Sequence, residues 1–258
     1  MSQGPPLLVE ESDDGVVLVT LNRPDTLNAA DEELHGAITT VWHEVAKLPT
    51  ARAVVLTGAG TAFSAGGDLT LLQRMTEDLT LRDRIMGEAA ELVRTLADFP
   101  LPIVAAVNGP AVGLGCSLAS LSDLVVMEDS AYFADPHVVL GLVAGDGGAL
   151  TWPFALGIQR AKELLLLGGR VTAQDALQYG LANRVVGAGR AVPEARKLAQ
   201  RLAALPPQSL RETRRVLNQP LVARVESALT DLMAAEIASF DEPAFQGNLS
   251  VALARRRS

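Results

Sequence analysis

The sequence predicts a mixed α/β fold with parallel strand pairing, followed by a mostly helical C-terminal part. Short apolar runs typical of strands alternate with stretches of helical spacing in the first half of the chain. The strand-like runs are almost continuously apolar, which favours strands buried on both faces of a sheet. From Thr151 onward the pattern turns mainly helical. We therefore divide the chain into an α/β core, residues 1–189, and a helical C-terminal region, residues 190–258.

The N-terminal part begins with a hairpin signal and continues into a helix. The apolar runs 7–11 and 16–21 are separated by Ser-Asp-Asp-Gly, and Asp-Gly between such runs predicts a tight turn. Residues 31–48 carry apolar side chains at helical spacing, and Asp31 is a suitable N-cap. A buried strand is predicted at 53–57.

Strands and helices continue to alternate in the middle of the chain, and helices dominate its end. We predict helices at 81–99 and 113–121 and strands at 103–107 and 124–127. The C-terminal helical blocks are predicted at residues 191–205, 209–217 and 222–240, split by Pro206-Pro207 and by Pro220.

Two glycine-rich loops carry the strongest functional signal. Residues 63–69, Phe-Ser-Ala-Gly-Gly-Asp-Leu, and residues 107–117, Val-Asn-Gly-Pro-Ala-Val-Gly-Leu-Gly-Cys-Ser, each lie just beyond a predicted strand. Glycine lets the backbone come close to a ligand. Two such loops can direct two backbone N–H groups at one point, which is the arrangement of an oxyanion hole.

Composition excludes several classes of function. The chain has 258 residues and a net charge of −8, and its one basic run is Arg255-Arg256-Arg257, so no nucleic-acid-binding face is expected. The single cysteine, Cys116, gives no disulfide framework. His35 and His43 lack a third ligand nearby, so no metal site is expected. Without a secretory signal or an apolar run of about 18 residues, we expect a cytoplasmic protein that does not bind membranes.

Both loops and several further segments together resemble the crotonase superfamily, that is, the enoyl-CoA hydratase/isomerase family. The resemblance covers nearly the whole chain and is carried, besides the loops, by residues 21–24, 27–29, 54–58, 122–125 and 180–186. It implies a spiral of ββα units with a helical C-terminal oligomerisation region that builds a homotrimer or a dimer of trimers. It also implies an acyl-CoA thioester as substrate, with coenzyme A as part of that substrate and no other cofactor.

The resemblance assigns roles to residues of both loops. The N–H groups of Ala65 and Leu114 are expected to hold the thioester oxygen as an enolate forms. Relatives often carry a lysine where this chain has Asp25. The residues expected to contact the substrate are Arg23, Leu27, Ser64, Gly67, Asp68 and Leu69.

The chain departs from the family at the two glutamates that a hydratase uses to activate water. Ser117 and His137 occupy those positions, so the usual hydratase mechanism is not expected. His137 can move a proton near neutral pH, and Asp146 is expected to orient it. This pair, with Trp152 beyond it and Glu236 in the helical region, locally resembles the oxocamphor and β-diketone hydrolases of the superfamily.

Three functions remain open from the sequence. The first is an acyl-CoA lyase or isomerase in which His137 and Asp146 replace the glutamate pair, with Trp152 lining the acyl pocket. The second is a hydrolase that cleaves a C–C bond of a β-diketone without coenzyme A, by a retro-Claisen reaction. The third is an acyl-CoA-binding protein without catalysis. Ser117 and Glu236 are further candidate site residues.

Overall fold

A computed structural model describes residues 4–257, in which helices cover both faces of a mostly parallel sheet. The strands are β1 (Leu7–Glu11), β2 (Val16–Leu21), β3 (Ala53–Gly58), β4 (Ile103–Val107), β5 (Ala111–Val112), β6 (Leu124–Glu128), β7 (Tyr132–Ala134), β8 (Arg170–Thr172) and β9 (Arg184–Val186). The helices are α1 (Glu32–Val45), α2 (Leu69–Glu77), α3 (Leu79–Ala97), α4 (Leu114–Ser120), α5 (His137–Leu140), α6 (Gly148–Leu156), α7 (Ile158–Leu167), α8 (Ala173–Tyr179), α9 (Ala191–Ala203), α10 (Pro207–Ser239) and α11 (Pro243–Arg257). Across this range no helix combines the length and apolar character needed to span a bilayer.

The main sheet has the strand order β1-β2-β3-β4-β6-β9. β1 pairs with β2 in an antiparallel hairpin, and every later pair in this sheet is parallel. A second, small sheet has the order β5-β7-β8. The predicted α/β class with a parallel sheet and C-terminal helices is confirmed.

Alternation along the strands buries the main sheet on both faces. In β3, Val54 and Leu56 join the larger core beneath helices such as α1 and α3, whereas Ala53 and Val55 face the other way. That second face is covered by the small and apolar side of α9. α9 therefore packs on the sheet of the core even though the sequence assigns it to the C-terminal region.

The predicted local signals at the N-terminus are confirmed. Gly15 closes the hairpin turn with a φ of +78°, and its N–H donates to the carbonyl of Ser12 at 3.0 Å. The Asp31 carboxylate accepts the N–H of Leu34 at 3.0 Å, which caps α1.

One C-terminal prediction is wrong, and two further helices were not predicted. α10 runs unbroken through Pro220, where the sequence predicts a break. Proline leaves the carbonyl of Val216 without its helical donor, but Val216 is 53% exposed, so water can replace that bond. α2 and α11 are helices that were not predicted as separate elements.

Candidate active site

The two glycine-rich loops lie side by side beyond the C-terminal ends of β3 and β4. Parallel pairing brings those strand ends to one edge of the sheet. The N–H of Val112 then donates to the Ser64 carbonyl at 2.9 Å, and the Asn108 amide donates to the Gly58 carbonyl at 2.8 Å. A Cβ on Gly109 would lie 2.1 Å from the Thr61 carbonyl oxygen, so this close approach requires glycine.

The first predicted oxyanion donor, Ala65, needs correction. Its N–H already donates to the carbonyl of Leu27 at 2.9 Å, so it has no hydrogen to offer a substrate. Leu27 presents that carbonyl because it has a φ of +55° at the end of the turn containing Pro24. Sequence spacing alone carries no signal of this long-range bond.

The N–H groups of Gly67 and Leu114, unlike that of Ala65, are free to donate to a substrate. Neither donates a hydrogen bond to any other atom of residues 4–257. Leu114 is the first residue of α4, where the backbone N–H has no partner within the helix. Both residues line the same cavity, so the two loops supply a pair of free donors from Gly67 and Leu114.

This cavity, which we call the active-site cavity, has a volume of about 150 Å³ and an apolar wall with a few polar groups. Its polar side chains are His35, His137, Asp146 and Glu236. A Cβ placed on Gly113 would lie 3.8 Å from His137 Cε1, so the imidazole lies directly beside the second loop. The free donors and the titratable groups therefore share one enclosed space.

His137 is oriented by Asp135, which the sequence reading missed. The Asp135 carboxylate Oδ1 lies 2.5 Å from His137 Nδ1, and Asp135 is almost fully buried. Gly148 leaves room for this carboxylate, because a Cβ there would lie 2.2 Å from Asp135 Oδ2. The available signal was local: an Asp followed by Pro, two residues before the histidine, whose carboxylate also accepts the His137 N–H at 3.3 Å.

Asp146 faces the other edge of the same ring. His137 Nε2 lies 3.8 Å from Asp146 Oδ1 and 4.0 Å from Glu236 Oε1. The predicted His137–Asp146 pair is therefore brought together, but Asp146 does not form the orienting hydrogen bond. Because Nδ1 is held by Asp135, Nε2 is the nitrogen available for proton transfer.

The carboxylates of Asp146 and Asp135 decide the charge of His137. Burial disfavours the imidazolium, yet the charges of Asp146 and Asp135 outweigh that effect and raise the His137 pKa to about 10. At neutral pH the ring is therefore an imidazolium, which can donate a proton but cannot accept one.

Asp146 and Ser117 form a second small unit next to this ring. The Ser117 hydroxyl donates to Asp146 Oδ1 at 3.2 Å. Burial raises the pKa of Asp146, while the positive His137 and the Ser117 hydrogen bond work in the opposite direction. Ser117 therefore acts on the site only through its hydrogen bond to Asp146.

Glu236, a further candidate site residue, reaches the cavity from the last turn of α10. It is only 5% exposed, and its Oε2 has no hydrogen-bond partner within the described residues. Burial, followed by the charge of Asp146, raises its pKa to about 8. Glu236 therefore carries a proton at neutral pH.

The expected substrate-binding residues fall into two groups. Leu69 and Gly67 line the active-site cavity. Leu27 is exposed, and its carbonyl accepts the Ala65 N–H of the first loop. Arg23 is held in an ion pair with Asp31 at 2.8 Å and lines a neighbouring groove of about 670 Å³. This groove meets the active-site cavity at Leu71.

Ser64 and Asp68, which were also expected to contact the substrate, form hydrogen bonds within the protein. Ser64 donates to the Asn28 carbonyl at 2.8 Å, and Asp68 caps α2 by accepting the N–H of Thr70 at 2.8 Å. Trp152 is fully buried in the core and does not line the active-site cavity. The expectation that Trp152 lines the acyl pocket is therefore wrong.

Comparison with known proteins places this geometry in a family. The enoyl-CoA hydratase/isomerase family profile matches residues 11–249. A solved structure of an enoyl-CoA hydratase/isomerase from Mycobacterium paratuberculosis has a TM-score of 0.92 at 43% identity, covering 97% of this chain and 99% of that one. The chain belongs to the enoyl-CoA hydratase/isomerase family, within the crotonase superfamily.

Two relatives illustrate the reactions within this family. The 1,2-epoxyphenylacetyl-CoA isomerase of Escherichia coli is 36% identical over 209 residues, which is 79% of each chain. The short-chain-enoyl-CoA hydratase of Clostridium acetobutylicum is 31% identical over 224 residues, covering 86% of this chain and 85% of that protein. The protein is therefore an enzyme of the hydratase/isomerase family.

Proposed function

We propose that this enzyme is an acyl-CoA isomerase that moves a double bond by proton transfer through a thioester enolate. One observation carries the proposal: the free N–H groups of Gly67 and Leu114 open into the cavity that also holds His137 and Asp146. Paired donors stabilise an oxygen that becomes negative in the transition state, and each is worth about 10²–10³-fold in rate. The name of the E. coli relative places the isomerisation of an acyl-CoA, there an epoxide, among the reactions of this family.

The proposed reaction transfers one proton between two carbons. The thioester carbonyl oxygen lies between the Gly67 and Leu114 N–H groups. The Asp146 carboxylate takes a proton from the carbon next to that carbonyl. The electron pair of that C–H bond moves into the enolate. His137 Nε2 then donates its proton to the carbon of the original double bond that is farther from the thioester. The enolate electrons form the new double bond, which is conjugated with the thioester. Proton transfer from Asp146 to His137 Nε2, initially 3.8 Å apart, restores the resting site.

The two positions from which a hydratase activates water hold no base in this chain. Ser117 is not a base at neutral pH, and His137 is already protonated because its pKa is about 10. Hydration would therefore require Asp146 to activate a water molecule in place of the glutamate pair. A proton shift needs only Asp146 as the base and His137 as the acid, without a bound water.

Coenzyme A is expected to lie along the groove beside Arg23. Arg23 and Arg74 are the cations of this groove, and each is ion-paired with a carboxylate, Asp31 and Glu32 respectively. Phosphate binding would therefore require one of these pairs to open. We propose Arg23 as the first phosphate contact, since its partner Asp31 also caps α1 through the other carboxylate oxygen.

Retro-Claisen hydrolysis of a β-diketone is the second candidate, favoured by Glu236. Its protonated carboxyl lies 4.0 Å from His137 Nε2, in the region where such hydrolases are expected to use a distal carboxylate. This reaction would need no nucleotide and would leave the groove beside Arg23 empty.

Turnover with two substrate classes tests the proposal. The enzyme is incubated in D₂O with 3-hexenoyl-CoA. The product is followed by mass and by conjugation of the thioester. Isomerisation with deuterium uptake, lost in D146N, supports the proposal. Acid release from a cyclic β-diketone without thioester turnover supports the second candidate. Binding of acyl-CoA without conversion of any substrate supports the non-catalytic alternative and contradicts both enzymatic proposals.

A further inference from the structure

A second histidine lies in the wall of the active-site cavity and takes no part in the proposed proton transfer between Asp146 and His137. His35 is on α1, is only 6% exposed and lines the cavity. Its ring makes one hydrogen bond among the described residues, from Nδ1 to Glu88 on α3 at 2.8 Å. Nε2, on the opposite edge of the ring, has no hydrogen-bond partner within residues 4–257.

Glu88 fixes which nitrogen carries hydrogen. Burial disfavours its charged form, but hydrogen bonds from His35 and from Arg84, at 2.9 Å, hold the pKa of Glu88 below its usual value. An ionised carboxylate only accepts hydrogen bonds, so Nδ1 must carry the hydrogen. In the neutral ring, Nε2 is then a hydrogen-bond acceptor directed away from Glu88.

The surroundings of His35 make this free acceptor unusual. The helices α2 and α3 line the same cavity with apolar side chains, namely Leu71, Leu72, Met75, Ile85, Met86 and Ala89. A purely hydrocarbon acyl group filling this space would exclude water and leave Nε2 without a donor. An unsatisfied buried polar group is costly, whereas a ligand hydroxyl would satisfy it.

We propose that His35 is a specificity residue that recognises a hydroxyl group on the acyl part of the substrate, through Nε2. This inference rests on the proposed acyl-CoA function and narrows it to hydroxyacyl thioesters. The thioester carbonyl is held at Gly67 and Leu114, so the hydroxyl belongs to another carbon of the acyl chain. A site built around a hydrogen bond discriminates strongly against analogues that lack the group.

Calorimetric titration tests the inference with matched saturated thioesters, which have no double bond to shift. The probes are hexanoyl-CoA, 6-hydroxyhexanoyl-CoA and 6-oxohexanoyl-CoA, used with the wild type, H35L, H35Q and H43L. His43 lies on the same helix but is half exposed and outside the cavity, so H43L is the matched control. Circular dichroism and thermal melting verify that each variant folds.

We expect the wild type and H43L to bind the hydroxy thioester about tenfold more tightly than hexanoyl-CoA. H35L should lose this preference while keeping its affinity for hexanoyl-CoA, and H35Q should retain part of it because an amide oxygen also accepts a hydrogen bond. Preference for the oxo thioester instead would show that Nε2 donates, which overturns the hydroxyl assignment.

Two further results would overturn the inference in distinguishable ways. Equal binding of all three thioesters by the wild type, or equal weakening of all three by H35L, would leave His35 as a tie between α1 and α3 only. If no thioester binds to any variant, the proposed acyl-CoA function itself fails, and the inference fails with it.

Discussion

His35 and His137 line the same cavity, yet their surroundings give them different properties. His35 faces one carboxylate, Glu88, across its Nδ1 edge. His137 faces Asp135 at Nδ1 and both Asp146 and Glu236 at Nε2. The charged carboxylates of Asp146 and Asp135 hold a proton on His137 and make it an acid, whereas one carboxylate orients His35 as a hydrogen-bonding group. The number and placement of carboxylates, and not the presence of a histidine, define the chemical role.

Replacing His137, the proposed acid, should have the largest effect on activity. H137Q keeps a polar side chain of similar size but has no transferable proton, so we expect kcat to fall about 10²–10⁴-fold. Thioester affinity should change little, because the Gly67 and Leu114 donors are backbone groups. Steady-state kinetics of wild type, H137Q and H43Q measure this. Loss of activity in H43Q, or full activity in H137Q, would contradict the assignment.

Asp135 should act through His137, with the next largest effect. D135N removes the charge that holds Nδ1–H, so we expect kcat to fall about 10- to 100-fold with KM nearly unchanged. The alkaline limb of the pH–rate profile should also move to lower pH, because the imidazolium loses a stabilising charge. A pH series on D135N and on the exposed control D129N measures both effects. An unshifted limb would show that Asp135 has only a structural role.

The close approach of the two loops can be broken at Gly109. A Cβ there would lie 2.1 Å from the Thr61 carbonyl oxygen, so G109A should lower the free energy of unfolding by about 2 kcal/mol. Gly247 in α11 has no atom within 4 Å of an added Cβ, so G247A should raise stability slightly. Chemical denaturation of both variants compares them. Equal stability of G109A and the wild type would mean that the loops are not held together as described.

A further predicted effect concerns Glu236 and the pH dependence of stability. Its pKa is raised from 4.5 to about 8 in the folded protein, so the native state binds the proton more tightly than the unfolded chain. Glu236 therefore contributes stability below about pH 4.5, and this contribution is lost as pH rises through 8.

We accordingly expect E236Q to unfold with a shallower pH dependence between pH 5 and 8. One group accounts for at most about 1.4 kcal/mol per pH unit. Denaturant titrations across this range, with the exposed E226Q as control, measure the slope. Parallel curves for wild type and E236Q would indicate that Glu236 is ionised throughout.

The fold was accessible from the sequence because its signals are local. Strand runs, the Asp14-Gly15 turn and the Asp31 cap each depend on a few neighbouring residues. The candidate site was only partly accessible. His137, Asp146 and Glu236 were named as candidates. Asp135 was missed, and the hydrogen bond from Ala65 to Leu27 is a long-range contact that neighbouring residues do not reveal. Pro220 was misread because tolerance of a proline depends on exposure, which sequence does not give.

The oligomeric state expected from the resemblance, a trimer or a dimer of trimers, stays a prediction. Large apolar side chains are exposed on α6 and α7, among them Phe154, Ile158, Leu166 and Leu167. Such exposure often marks an interaction surface. Sedimentation equilibrium would measure the assembly independently of the catalytic predictions.

The most direct test of the account is a pH titration of the histidine rings by ¹⁵N NMR. The chain contains three histidines, so H35Q, H43Q and H137Q assign every signal. We predict that the His137 ring keeps both hydrogens from pH 6 to pH 9, in keeping with its pKa of about 10, and loses one only above that range. Loss of a ring proton from His137 near its ordinary pKa of about 6.5 would contradict the claim that this residue is the acid of the site.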